Sequence, residues 1–286
     1  MTIRKFTGKK LPLSNEGQLS LFFIGVGSAF SKKHYQTNLL VIKGGTHVLV
    51  DCGTKTPQAL FELGRSISDI KSFLITHSHA DHIGGLEEAM LVNRYLTRKK
   101  PDIIVDRIYQ HILWDHSLRG GSGFNEEREG MVLSFGDMWN VHYPEWLECY
   151  PRETYEITYG SINFKLFRTM HIPDYPGSWQ NSFWSCGLII DDRIMFSGDT
   201  RFDQDLIDSF TRLFDLEMIF HDCQLFTGGV HAGIEELNTL DKDIKKKMVL
   251  VHYGDNWKDY EEKVPEYGFH SLGRQWHFYD FPVGPA

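Results

Sequence analysis

The stretch that most constrains this chain is Thr76-His77-Ser78-His79-Ala80-Asp81-His82-Ile83-Gly84-Gly85, which packs four potential metal ligands into a short run. The apolar residues Phe73-Leu74-Ile75 come directly before it and read as a buried strand. Gly84-Gly85 and then Leu86-Glu87-Glu88-Ala89-Met90 read as a turn feeding a helix. The ligands are therefore expected at a strand end, where a rigid sheet can aim them. His77 and His79 are two apart, so on an extended chain they point the same way and can grip one ion. Asp81 and His82 lie past the strand, where the backbone turns and can present them to a second. Imidazole suits zinc, iron and manganese; a carboxylate suits harder ions or a second metal of the same kind. Incidental histidines at a polar strand end are the bland alternative, and the full motif between an apolar strand and Gly-Gly makes that the weaker reading.

The motif resembles the signature of the metallo-β-lactamase fold superfamily. The opening of the chain resembles it too. A strand at Leu21-Phe22-Phe23-Ile24 runs into Gly25-Val26-Gly27-Ser28-Ala29-Phe30. Residues 38–42 and 47–51 then read as a hairpin through Gly44-Gly45, ending in Asp51-Cys52-Gly53. This order looks most like the branch that holds ribonuclease Z and cyclic-nucleotide phosphodiesterases. The resemblance implies an α/β fold, a four-layer αββα sandwich, as one domain over 1–286. It also demands a later His, an Asp and a last His, each at a strand end. The chain offers His171 after Phe167-Arg168-Thr169-Met170, Asp199 in Ser197-Gly198-Asp199-Thr200, and His252 after Val249-Leu250-Val251. Strands alternating with helices in both halves fit that architecture.

Carried over position by position, the resemblance assigns His77, His79 and His171 to one ion. It assigns Asp81, His82 and His252 to the other, with Asp199 bridging. The implied cofactor is a pair of divalent cations, zinc first, with manganese and iron open. Such a pair lowers the pKa of a shared water, so that a bridging hydroxide can attack at neutral pH. Asp81, His231 and Asp222 form the expected catalytic set. His231 stands on a Gly228-Gly229 loop outside the ligands, where phosphodiesterase members carry an extra histidine that assists the leaving oxygen. Asp222 is the carboxylate expected to orient it. The local sequence His231-Ala232-Gly233 departs from the His-Ser/Thr type expected of ribonuclease Z. Asp51 is read either as an orienter of a ligating histidine or as a surface turn residue, and His221 as structural.

Other segments are less specific. Gly25 to Phe30 lacks the Gly-Lys-Ser/Thr ending of a nucleotide loop and reads as a tight connection. Pro57 to Leu63 reads as a helix with Thr56 as its cap. Arg98-Lys99-Lys100-Pro101 reads as a helix C-terminus. Residues 103–109 are expected as strand, His111 to Leu118 as helix, and 119–128 as a charged glycine-rich loop. Together 101–155 read as an aromatic-rich insertion, for which a substrate lid, a satellite core and a dimer contact all remain open.

The formal charge is −8 with pI about 5.9, so a global basic footprint for nucleic acid is missing. No long glycine-proline arm is seen either. Both points favour a small phosphodiester such as a cyclic nucleotide over a large RNA. Cys52, Cys149, Cys186 and Cys223 are widely separated, as in reduced cytosolic proteins. Neither a signal-peptide core nor a run of membrane-span length is seen, so the expectation is a cytoplasmic protein with no membrane partner. The resemblance adds a homodimer. The expected function is a dinuclear-metal phosphodiesterase acting on a nucleotide. A hydrolase of a lactone, thioester or other carboxylic ester, a ribonuclease Z-like RNA endonuclease, and a catalytically idle ligand-binding sensor remain as alternatives.

Overall fold

Runs of continuously apolar strand set the architecture. Leu19–Gly25 is buried at every position and Asn38–Lys43 at all but its last, the pattern of strands covered on both faces. The computed structural model describes residues 1–173, 177–226 and 228–283. The chain divides into two compact units.

The first unit comprises Met1–Gly25, Tyr35–Pro144 and Gln275–Ala286. Its eight-stranded sheet runs in the order Thr2–Lys5, His277–Phe281, Leu19–Gly25, Asn38–Lys43, Thr46–Val50, Ser72–Leu74, Asp102–Ile104, Asn140–His142. Pairing is antiparallel as far as Thr46–Val50 and parallel beyond it. The expected hairpin through Gly44 is present, with Gly44 at φ 59°. The second unit comprises Val26–His34 and Glu145–Arg274. Its sheet repeats the plan in the order Glu145–Trp146, Thr154–Tyr159, Ile162–Arg168, Cys186–Ile190, Ile194–Phe196, Met218–Asp222, Met248–Val251, Ser271–Leu272. Here too pairing is antiparallel first and parallel from Ile194–Phe196 onward. Parallel strands all finish at one edge of their sheet, and side chains just past their C-terminal ends gather there. The candidate ligands occupy such positions in each unit.

Several local expectations are corrected. Thr56 is not the cap of the Thr56–Glu62 helix but its first residue, because its hydroxyl turns inward to Asn38 Oδ1. Arg107-Ile108-Tyr109 is not strand. The Asp106 carboxylate accepts from the N–H of Ile108 (2.7 Å) and Tyr109 (3.2 Å), and that cap starts the helix Arg107–Leu113. The glycine-rich stretch after it holds a helical turn, Arg119–Ser122, and a small hairpin of Glu127–Arg128 with Met131–Val132. Within 101–155, Asp102–Ile104 and Asn140–His142 are strands of the first sheet, so part of that segment belongs to the unit's own core. The helix Leu86–Leu91 continues in wider turns over Val92–Thr97.

Candidate metal centre

In the first unit the chain leaves Ser72–Leu74, passes His77 and His79 in extended conformation, and turns into the short helix Ala80–Ile83 that carries Asp81 and His82. His77, Asp81 and His82 are buried. His77 Nε2 lies 3.0 Å from His79 Nδ1, and His82 Nε2 lies 3.3 Å from Asp81 Oδ2. The motif is held by the loop after Thr46–Val50. Cys52 N–H donates to His82 O at 2.7 Å, and Gly85 N–H donates to Cys52 O at 2.8 Å. Asp51 stands at this corner with φ 63°. Its carboxylate accepts from Thr76 N (2.8 Å), Thr76 Oγ1 (2.8 Å) and His82 Nδ1 (2.7 Å). It is thus buried and orients His82. Burial holds its carboxyl above the ordinary range against the pull of His82 and the two Thr76 donors.

In the second unit His171, Asp199, Asp222 and His252 are buried and His231 is half-buried. Asp199 follows Gly198, whose φ is 58° and whose ideal Cβ would lie 2.5 Å from Cys186 O, a turn that only glycine makes comfortably. His252 leaves the strand Met248–Val251 with φ 63°. Asp199 Oδ2 lies 3.4 Å from His252 Nε2 and 3.7 Å from His171 Nε2. Asp222 is this unit's counterpart of Asp51. It accepts from Thr200 N at 2.9 Å and from His231 Nδ1 at 2.7 Å, and its other oxygen lies 3.4 Å from His252 Nδ1. Burial pushes the Asp222 carboxyl up, and the His231 and His252 imidazoles outweigh it, leaving it below its ordinary value.

The donor chemistry fits a metal. Ligand bonds of about 2.1 Å to one ion put neighbouring ligand atoms about 3.0–3.5 Å apart, close to the separations within each cluster. The outer nitrogens of His82, His171 and His252 face Asp51, Val230 O (3.2 Å) and Asp222. Their Nε2 atoms are thereby directed to Asp81 or Asp199. A ligating histidine commonly holds an oxygen acceptor at its other nitrogen in this way. Asp199, Asp222, His231 and His252 also bring one ligand atom each within 4.8 Å of one another.

Three further histidines have partners of their own. His221 is buried, its Nδ1 on Asp222 O at 2.7 Å, and burial lowers its pKa. His142 pairs with Asp102 and His111 with Asp115. The residues just after the glycine-rich turn, Ser31 to Lys33, hold a carboxylate of their own unit. Asp255 accepts from Ser31 Oγ (2.6 Å), Lys32 N (2.9 Å) and Lys33 N (3.1 Å), the Ser31 hydroxyl being first among the causes that hold its carboxyl down at about 2. Sequence reasoning missed Thr76 and Thr200, whose backbone N–H groups fix the two orienting carboxylates. Adjacency to His77 and Asp199 was their only signal.

These features define a metallo-β-lactamase fold protein with a histidine- and carboxylate-rich centre. The fold matches the metallo-β-lactamase fold protein YhfI from Bacillus subtilis with TM-score 0.64, over 92% of this chain and 100% of that one at 14% identity. It matches a diphosphatase from the PhnP family equally well, with TM-score 0.64, 14% identity, and 93% and 99% of the two chains covered. The chain belongs to the family described as anti-Pycsar protein Apyc1, whose model matches residues 19–279. A relative so described in Bacillus phage vB_BsuM-Goe3 is 38% identical over 263 residues, covering 89% of this chain and 96% of the relative.

Proposed function

We propose that this protein is a metal-dependent phosphodiesterase acting on a nucleotide, with a cyclic-nucleotide phosphodiester as the preferred substrate class. The observation that carries the reading is the pair His231–Asp222, a 2.7 Å contact that fixes an imidazole lying outside the assigned ligands. In this reading 1–286 is one catalytic domain. His77, His79 and His171 hold one cation, Asp81, His82 and His252 hold the other, and Asp199 is shared. Two divalent ions, zinc in first place, would supply an activated water and positive charge for the phosphoryl oxygens. The chain's own residues do the rest. Asp222 accepts the Nδ1–H of His231 and fixes the ring, leaving Nε2 to hand a proton to the departing oxygen. Asp81 can accept a proton from the attacking water. A leaving alkoxide needs that proton, and the His231–Asp222 pair is placed to supply it at a phosphodiester.

The diphosphatase of the same fold supports work at phosphate, and the net charge of −8 supports a small substrate over a long polyanion. A substrate wall within 101–155, a homodimer and a cytoplasmic location belong to the same proposal. No helix among the described residues is long and apolar enough to cross a membrane.

The test is a hydrolysis screen of zinc-loaded protein on bis-p-nitrophenyl phosphate, cyclic nucleotides, p-nitrophenyl acetate and a lactone. Diester turnover should be abolished in Asp199→Ala. It should fall by about 10²–10⁴-fold in His231→Ala, the usual worth of a general acid. Turnover confined to the acyl substrates and indifferent to His231→Ala would overturn the proposal in favour of an ester hydrolase.

A further inference from the structure

Where the helix after the metal motif ends, the first unit has a cavity of about 500 Å³. Its wall collects Arg94, Arg98, Lys99 and Lys100 from the helix end and Arg128 from the small hairpin. Two carboxylates also line it, and both are engaged. Glu126 receives Arg94 through two bonds of 2.6 and 2.9 Å. Asp137 accepts from Ser134 N at 2.8 Å and Ser134 Oγ at 2.6 Å. Lys100 reaches one carbonyl, Gly136 O, at 2.5 Å. Among the described residues, Arg98 and Lys99 have no carboxylate in ion-pair range.

A helix C-terminus favours cations by itself. That does not account for Arg128, which comes from a separate hairpin and faces the same concavity. Nor does it account for the backbone of Arg98. This residue takes the left-handed conformation, φ 55°, at the cap position where glycine is the relaxed choice. A long cationic side chain is kept there at a conformational cost. The result is a concave, positive site in a chain whose net charge is −8.

We propose that this cavity binds a phosphorylated small molecule carrying at least two negative charges, at a site separate from the metal centre. Arg98, Lys99 and Arg128 supply the charge, and Lys100 keeps donors to spare. Its size lies in the range of small-ligand pockets, and the exposed ring of Tyr95 offers an apolar face beside the cations. A long nucleic acid is the less favoured occupant, because the acidic remainder of the surface would repel its flanks. No residue lining the cavity belongs to the metal motif, which ends before Leu86, whereas the lining begins at Asn93.

The probe is inorganic tripolyphosphate, titrated calorimetrically into the full chain and two variants. Arg98→Glu/Lys99→Glu should bind at least tenfold more weakly than wild type, and Lys246→Glu, a charge reversal on the second unit, should match wild type. Two results each overturn the proposal: no binding to wild type, or an unchanged affinity in the Arg98/Lys99 double variant whose circular dichroism matches wild type. Replacing the probe by a single-stranded oligonucleotide at equal phosphate concentration should give weaker binding; tighter binding sinks the small-molecule assignment. None of these outcomes depends on whether the chain hydrolyses phosphodiesters.

Discussion

Asp51 and Asp222 do one job in two places: each accepts a backbone N–H from a threonine beside a candidate ligand and steadies an imidazole. Asp51→Asn keeps the volume and removes the charge that His82 leans on. Metal affinity should drop about 10–100-fold, as when such outer partners are lost, and competition against a chromogenic chelator measures it. His47 makes a different kind of prediction. It is buried with Nδ1 on Leu13 O at 3.2 Å, and its Nε2 accepts Lys71 N–H at 3.1 Å, so it is neutral in the fold. Burial lowers its pKa from 6.5 to about 4. A histidine depressed in this sense gives its full stabilisation above the unfolded pKa and loses it as the pH falls through 6.5 towards 4. The loss should reach up to about 3 kcal/mol. Urea unfolding at pH 7 and pH 4 should show it in wild type and show a shallower dependence in His47→Ala.

At the scale of elements, the corner after Thr46–Val50 and the Ala80–Ile83 helix are fitted backbone to backbone. An ideal Cβ on Gly53 would lie 2.0 Å from Asp81 O. Gly53→Ala must therefore push the motif helix away, costing about 2 kcal/mol or more and weakening metal binding with it. A thermal melt and the same chelator assay read the two effects. The strand ends that carry most of the candidate ligands were legible in the sequence because a buried apolar run announces both the strand and the end where polar residues gather. The helix Arg107–Leu113 was not legible. Ile108 and Tyr109 carry β-propensity, and only the Asp106 cap, a tertiary-neutral local contact, tips the balance to helix. Thr56 was misjudged for the reverse reason: a good cap residue by type, it spends its hydroxyl on Asn38 instead. Backbone donors such as Thr76 N–H leave no residue-type signature at all.

At the scale of the molecule, cations bound by the proposed ligands would stabilise the fold by mass action. Metal at about a thousandfold above its dissociation constant is worth about 4 kcal/mol. Chelation should lower the melting temperature of wild type and leave Asp199→Asn nearly unmoved, a difference that scanning calorimetry with and without chelator will show. One further consequence lies in the threading of the first sheet. His277–Phe281 sits between Thr2–Lys5 and Leu19–Gly25, with the Phe278 ring 4.6 Å from Phe22. A chain truncated before His277 leaves two unpaired strand edges, so loss of this one strand would open the first sheet to chaperones and proteases.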